Sequence, residues 1–312
     1  MNINKINYIA ISLVAGGAGF LGTNLCIKLL DMGHFVICID NLYTGKMQNI
    51  KELINNNNFI FIKEDICKIN IKLYKEKFNK IDYIWHLACP ASPPKYQQNG
   101  YKTLKTCLIG TMNILKLTKY YNSKLLFTST SEVYGDALIT PQTESYWGNV
   151  NPIGPRSCYD EGKRCAETLI YEYRKKNPTM INNLKIVRIF NTYGPYMDID
   201  DGRVITNFIK SIINKNPIII YGDGYQTRSF CYVSDMINGF ILMMNSEYNG
   251  PINIGNPYTE FTILELKKIF DKLLNKQHSI KFIEETIDDP KQRCPNIQLA
   301  IDKLNWRPEI NI

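Results

Sequence analysis

The sequence predicts an α/β fold, a doubly wound parallel sheet followed by a smaller C-terminal α/β substrate-binding region. Short unbroken apolar runs, such as Phe35-Val36-Ile37-Cys38-Ile39 and Leu184-Lys185-Ile186-Val187-Arg188-Ile189-Phe190, read as strands buried on both faces. They alternate with longer segments of helical periodicity, the pattern of repeated βα units. A glycine-rich turn, Gly16-Gly17-Ala18-Gly19-Phe20-Leu21-Gly22, sits between the first strand and the first helix. With 312 residues the chain can bury a large core, as about two domains or one enlarged unit.

Tyr8 to Ala15 reads as the first strand, and Leu25, Leu29 and Leu30 give the following helix its apolar face. The Gly-x-x-Gly-x-x-Gly turn between them allows a pyrophosphate to approach a helix N-terminus, whose free N–H groups and dipole favour an anion. The second strand ends in Asp40, at the distance expected of a carboxylate that accepts from an adenosine ribose and repels a 2'-phosphate. Together these predict a Rossmann-type site for NAD rather than NADP. Asn55 to Asn58 reads as a solvated loop before the strand Phe59 to Ile62, and Asp65-Ile66 follow it, where an adenine contact is expected. Tyr83 to Ala88 forms the next strand and runs into the rigid loop Cys89-Pro90-Ala91-Ser92-Pro93-Pro94. His86, inside a strand, is expected to be a core histidine, and Cys89 lacks an assigned base that would make it a nucleophile. Thr103 to Tyr121 reads as a long helix, apolar on more than one face, that packs on the sheet and on a second subunit.

Lys124 to Phe127 is a buried strand, so the hydroxyls of Thr128 to Ser131 and the Glu132 carboxylate should emerge at its C-terminal end, the edge where parallel sheets bind ligands. Tyr159 and Lys163 are about one helical turn apart and share a face. The ammonium would lower the phenol's pKa, giving a general base with its tuner. The same spacing recurs at Tyr101/Lys105, Tyr120/Lys124 and Tyr171/Lys175. What singles out Tyr159 is its order in the chain: its helix comes directly after the hydroxyl-rich strand end and downstream of the glycine turn. From Asn191 the texture changes to loops rich in Gly, Pro and Asp with isolated helices. Residues 1–190, with about 230–255 returning to them, are expected to form the NAD-binding domain, and 191–312 mainly the substrate region. Arg203, Arg228 and Arg293 lie in loop-like contexts from which they could close over a diphosphate. Trp306 should anchor the last segment.

The formal charge of +8 is scattered, and its densest cluster, Arg174-Lys175-Lys176, reads as a solvated helix end, so neither nucleic acid nor a membrane is an expected partner. Nine cysteines, an odd number without a Cys-x-x-Cys pair, and only three histidines point away from a disulfide framework and from a structural metal site. Met1 to Asn7 is polar, and no apolar run reaches the ~18 residues of a membrane span. A reducing, cytoplasmic location is the expectation.

These motifs resemble the extended short-chain dehydrogenase/reductase family, and within it the branch that decarboxylates UDP-glucuronate. The resemblance covers nearly the whole chain. It rests on Gly16 to Gly22, Ala91 to Pro94, Thr103 to Thr106, Ser129 to Gly135, the long block Asn151 to Arg164, Arg188 to Thr192, Asp201 to Val204 and Gln226 to Arg228. It implies an NAD reduced and reoxidised within one turnover, bound by Gly16, Gly19, Phe20, Leu21, Gly22, Asp40, Asn41, Thr44, Gly45, Asp65, Ile66, Leu87, Thr106, Tyr159 and Lys163. It implies that Tyr159 takes the sugar 4-OH proton while C4 gives up hydride, helped by Lys163 and a hydroxyl from Thr130 or Ser131. The resulting 4-keto uronate is a β-keto acid and loses CO2, after which C5 is protonated and C4 reduced again. Glu132 and Arg228 match positions near C5, and Lys105, Asn191, Arg203, Tyr221, Arg228 and Arg293 match positions that hold the UDP-sugar. A homodimer joined by a four-helix bundle is also implied.

The chain departs from that pattern at Ala15, usually Thr, at Cys89, usually Ser, at Asn296, usually Asp, and in stopping soon after Trp306-Arg307-Pro308. The nearest rival function is a nucleotide-sugar 4,6-dehydratase, which carries an Asp where this chain has Ser131, so water elimination would lack its proton donor. Apiose-forming relatives carry a Cys there, and a 4-epimerase would lack Glu132. From another class, a non-catalytic NAD-binding regulatory protein has no use for the full Ser/Thr, Tyr and Lys set.

Overall fold

The computed structural model of the chain describes residues 9–285 and 287–312. The polar start, Met1 to Asn7, and Tyr8 of the expected first strand lie outside the described residues. Strands β1 (Ile11–Ala15), β2 (Phe35–Asp40), β3 (Phe59–Lys63), β4 (Tyr83–His86), β5 (Lys124–Thr130) and β6 (Leu184–Ile189) form one parallel sheet. A seventh strand lies at its β6 edge, giving the order β11-β6-β5-β4-β1-β2-β3, and is numbered β11 because four short strands precede it (Ile252–Ile254). The order reverses between β1 and β4, so a crevice opens there at the strands' C-terminal ends.

Alternation along the strands sends successive side chains to opposite faces, and each face has its own apolar core. Val14, Trp85 and Leu126 pack with Leu25, Phe240 and Met243 on one side. Leu13, Ile84 and Leu125 pack with Leu115, Ala166 and Ile170 on the other. Each fully buried Leu, Ile or Phe contributes about 1.5–3 kcal/mol. Two-sided burial is why these strands read as continuous apolar runs.

Between β6 and β11, and again after β11, the chain builds the smaller region, except that the helices Val233–Asn245 and Gln298–Leu304 return to pack on the main sheet. Strand β7 (Thr192–Tyr193) pairs with β10 (Cys231–Tyr232), and β8 (Ile218–Tyr221) pairs with β13 (Ile280–Ile283). Strand β9 (Thr227–Ser229) lies between antiparallel β12 (Glu260–Thr262) and parallel β14 (Gln292–Arg293). Phe208, Ile218, Ile220, Phe230 and Leu266 form its core. Trp306 is the expected anchor: its indole N–H donates to the Asp235 carbonyl at 3.0 Å, while the Asp235 carboxylate accepts from the N–H groups of Glu309 and Ile310.

Several local expectations are revised. Strand β4 stops at His86 instead of Ala88, because the Gly16 turn packs against the Ala88 backbone, where a Cβ on Gly16 would stand 2.8 Å from the Ala88 nitrogen. The long helix begins at Gly100 and is interrupted: Gly100–Lys105 and Thr111–Tyr121 flank a π-helical turn, Thr106–Gly110. The Thr106 hydroxyl donates back to the Lys102 carbonyl at 2.8 Å, and Gly110 fits against Ile66, where a Cβ would come within 2.4 Å of a methyl. Arg174 is not solvated. It is buried and donates to the carbonyls of Leu184 at 2.7 Å and Asn249 at 2.6 Å, fastening the helix Ser157–Lys176 to the sheet edge.

Candidate active site

A cavity of about 600 Å³ opens at the switch between β1 and β4 and continues under the smaller region. Its floor on one side is the glycine turn. Gly16 has φ +83°, and a Cβ on Gly22 would lie 2.0 Å from the Gly16 carbonyl oxygen, so the turn closes tightly onto the N-terminus of the helix Phe20–Asp31. The Asp40 carboxylate accepts from the N–H groups of Ala18 at 3.1 Å and Leu42 at 2.8 Å. Burial pushes its pKa up, and these two bonds partly offset that. Gly45 is not on the cavity wall but packs on this carboxylate, where a Cβ would stand 2.7 Å from Oδ2. Asp65 accepts from Asn41 at 3.0 Å and from the Cys67 N–H at 2.9 Å. The cradle, the acid at the end of β2 and Asp65 fit an adenine dinucleotide.

Strand β5 runs on to Thr130, so Thr128 and Ser129 belong to the strand and not to the loop after it. The turn Ser131–Tyr134 follows, with the Thr130 hydroxyl accepting from the Glu132 N–H at 3.3 Å. Tyr159 and Lys163 face this strand end from the helix Ser157–Lys176. The Tyr159 ring stacks on Tyr96 at 4.9 Å between centroids. Burial pushes the phenol's pKa well up, and its hydrogen bond with Thr130 only partly opposes this. The expected tuning by Lys163 is not seen in this arrangement. The ammonium donates to the Thr128 carbonyl at 2.7 Å and stands 5.9 Å from the Tyr159 ring centroid.

Beside Tyr159 lies a buried charge cluster. Arg156 and Arg293 both donate to Oε2 of Glu132, Arg228 donates to Asp289 at 2.9 Å, and Arg156 reaches the other Asp289 oxygen at 3.5 Å. Burial pushes Glu132 up, but the Arg293 and Arg156 cations outweigh it and hold the carboxyl below its ordinary value. Asp160 goes the other way. Burial, then the Glu132 charge, push it up to about 8, and its Oδ1 has no hydrogen-bond partner. Arg228 and Arg293 are strand residues, not loop residues, and Arg203 precedes the helix Val204–Ile213 with Asp201 as its partner.

Of the residues singled out by sequence, Gly16, Gly19, Phe20, Leu21, Gly22, Asp40, Asn41, Thr44, Asp65, Ile66, Leu87 and Thr106 line the nucleotide side of the cavity. Thr130, Ser131, Glu132, Tyr159, Lys163, Asn191, Arg203, Tyr221, Arg228 and Arg293 line the other. Lys105 does not join them; it is exposed on the helix before the π turn. His86 is the expected core residue, its Nε2 3.0 Å from the Thr111 hydroxyl. Arg156, Asp160, Asp289 and Tyr96 went unassigned in the sequence. Arg156 alone left a signal, since it stands three residues before Tyr159 and four before Asp160, on one helix face. No cluster of His, Cys, Asp and Glu among the described residues could hold a metal ion, and no described helix is long and apolar enough to cross a membrane.

A parallel sheet with a dinucleotide cradle at its switch point, and a tyrosine and lysine facing the end of β5, defines a Rossmann-fold nucleotide-dependent enzyme. Residues 12–255 match the NAD dependent epimerase/dehydratase family, and the chain belongs to it. Within that family it is 50% identical over 301 residues to UDP-glucuronic acid decarboxylase 6 of Arabidopsis thaliana, covering 96% of this chain and 84% of that protein. It is 48% identical over 300 residues to UDP-glucuronic acid decarboxylase 1 of the same plant, spanning 96% of this chain and 66% of the relative's length. Among solved structures it is similar to the UDP-glucuronic acid 4-epimerase of Bacillus cereus in complex with UDP-glucuronic acid and NAD. There the TM-score is 0.83 at 30% identity, over 96% of this chain and 94% of that one.

Proposed function

We propose that the chain converts UDP-glucuronate to UDP-xylose with loss of CO2, using NAD. The observation that carries this reading is the meeting, in one cavity, of Tyr159 and Thr130 with the Glu132, Arg156, Arg228 and Arg293 cluster. The first pair handles a proton on a sugar hydroxyl; the second provides cations beside a carboxylate-bearing carbon.

Gly16, Gly19 and Gly22 would take the pyrophosphate of NAD, Asp40 a ribose and Asp65 with Ile66 the adenine. NAD, when bound there, would supply the hydride acceptor for C4 of the sugar and later the hydride that reduces it again. Tyr159 takes the 4-OH proton, with Thr130 or Ser131 orienting that hydroxyl, and Lys163 holds the strand end in place through Thr128. Oxidation at C4 makes the C5 carboxylate β to a carbonyl, so the electrons of the breaking bond have an acceptor. Glu132 and Arg228 stand on the C5 side, and Arg203, Tyr221, Asn191 and Arg293 hold the UDP-sugar. Ser131, where a 4,6-dehydratase needs an acid, makes elimination of water the weaker reading.

The chain is further proposed to act as a cytoplasmic homodimer. Nine unpaired cysteines suit a reducing compartment. Tyr101, Leu104, Ile109, Met112 and Tyr120 on the segments around the π turn, with Tyr171 on the neighbouring helix, leave apolar surface for a second copy. Light scattering at micromolar concentration checks this; a monomer overturns it. The deciding experiment for the activity is release of labelled CO2 from carboxyl-labelled UDP-glucuronate, with chromatography of the sugar nucleotide. UDP-xylose is the expected product; a 4-epimer without CO2 would overturn the reading.

A further inference from the structure

All nine cysteines are unpaired, yet Cys26 and Cys38 in the core, and Cys89 and Cys107 at the cavity, lie within hydrogen-bond reach of each other. Cys89 follows β4 on the cavity wall, Cys107 lies in the π-helical turn, and their sulfurs are 3.4 Å from each other. A disulfide needs about 2.05 Å, a closure of little more than an ångström that side-chain rotation and the slack of a π turn can provide. The Cys107 sulfur is also lodged against Gly162, where a Cβ would stand 3.1 Å from it, between Tyr159 and Lys163 on the same helix. It therefore wedges the catalytic helix on one side and the Cys89 loop on the other.

We propose that Cys89 and Cys107 form an oxidation site, at which a peroxide closes a disulfide that draws the Cys107 sulfur away from Gly162 and stops proton transfer at Tyr159. Hydrogen bonding from Cys89 holds the Cys107 thiol below its ordinary value against burial, helped by the Lys163 ammonium, while the same bond and burial push Cys89 well up, so the pair shares one proton most readily lost from Cys107. Cys89, the sulfur on the cavity wall, attacks a peroxide oxygen as its proton passes to the neighbouring Cys107 sulfur, the O–O bond breaks, and hydroxide leaves as water with that proton. The second sulfur then attacks the sulfenic sulfur, the S–S bond forms and a second water leaves. Two thiols are oxidised by two electrons and one peroxide is reduced to two waters.

The test treats the NAD-loaded protein with hydrogen peroxide. Non-reducing digestion and mass spectrometry should give a peptide linked through Cys89 and Cys107, with turnover reduced on the order of 100-fold, the cost of displacing a catalytic group by about an ångström. Dithiothreitol should restore both. Cys89→Ser and Cys107→Ser, each compared with its own untreated sample, should resist the loss, and Cys107→Ala replaces the second should it fold poorly. No linked peptide, a linked peptide without loss of turnover, or equal loss in both variants would each overturn the proposal. Only the turnover arm rests on the proposed decarboxylation. The peptide is read on the protein itself, so a wrong substrate and a wrong disulfide fail separately.

Discussion

Arg228 and Arg293 are register partners on adjacent parallel strands, yet each sends its guanidinium to a different carboxylate, Arg228 to Asp289 and Arg293 to Glu132. Two cations can lie side by side in a buried site because each already has an anion, and Arg156 ties the two anions together.

Glu132→Gln is therefore expected to cost stability as well as activity. It leaves Arg156 and Arg293 buried without their shared charge, a loss of about 3–5 kcal/mol for broken buried pairs. The sign with pH follows from the lowered carboxyl: the stabilisation is present above the unfolded pKa and disappears as pH falls through the folded one. Urea unfolding of both proteins at pH 7 and in acid should give a gap that narrows in acid.

Asp160→Asn should do the opposite. The carboxyl has an ordinary value near 3.8 and is pushed up to about 8, so the folded protein is penalised progressively as pH rises from the first value to the second. An amide of the same shape never ionises and escapes that penalty. The variant is expected to equal the parent in acid and to exceed it by roughly 1–3 kcal/mol at slightly alkaline pH, measured by thermal unfolding across the range. A variant less stable at alkaline pH would mean that Asp160 is a needed anion.

Tyr159→Phe keeps the stacked ring but removes the proton acceptor, and should lower turnover by about 100- to 10,000-fold, nearer the upper end, with UDP-sugar and NAD binding nearly intact. Tyr101, Tyr120 and Tyr171, which share the spacing to a lysine, are exposed on the surface, and their Phe variants should leave the chemical step unchanged. Single-turnover assays decide; retention of more than about a tenth of the rate by Tyr159→Phe would reject it as the base.

Asp40 already accepts two backbone N–H groups and is packed against Gly45, so it has no room to move away from a 2'-phosphate. Calorimetry is expected to give clear preference for NAD over NADP, narrowed in Asp40→Ser; equal affinities in the parent would defeat the assignment.

The strands were legible because burial on both faces leaves unbroken apolar runs, and the nucleotide side of the site because its turn needs glycines at fixed spacing. Tyr159 was legible only from its place after β5. Glu132 and Arg293 were singled out but their pairing was not, since Glu132, Arg156, Asp289 and Arg293 come from four segments and each meets its partner only across the fold. The same limit hid the burial of Arg174: a basic run at a helix end looks solvated until a carbonyl from residue 249 arrives beside it. Thr106's bond to the Lys102 carbonyl, likewise, gives no periodic signal, and so the π turn read as plain helix.

The pairing of β11 with β6 has a consequence for synthesis. Until Ile252–Ile254 leave the ribosome, β6 is an open sheet edge with unpaired backbone groups, and Lys185 and Arg174 lack the carbonyls of residues 246, 248 and 249 that they bind. At translation speeds of about 5–20 residues per second that edge stays open for roughly 3–13 s, long enough to recruit a stray strand from another nascent chain. A gene fragment ending at residue 190 would make the exposure permanent and should accumulate in inclusion bodies.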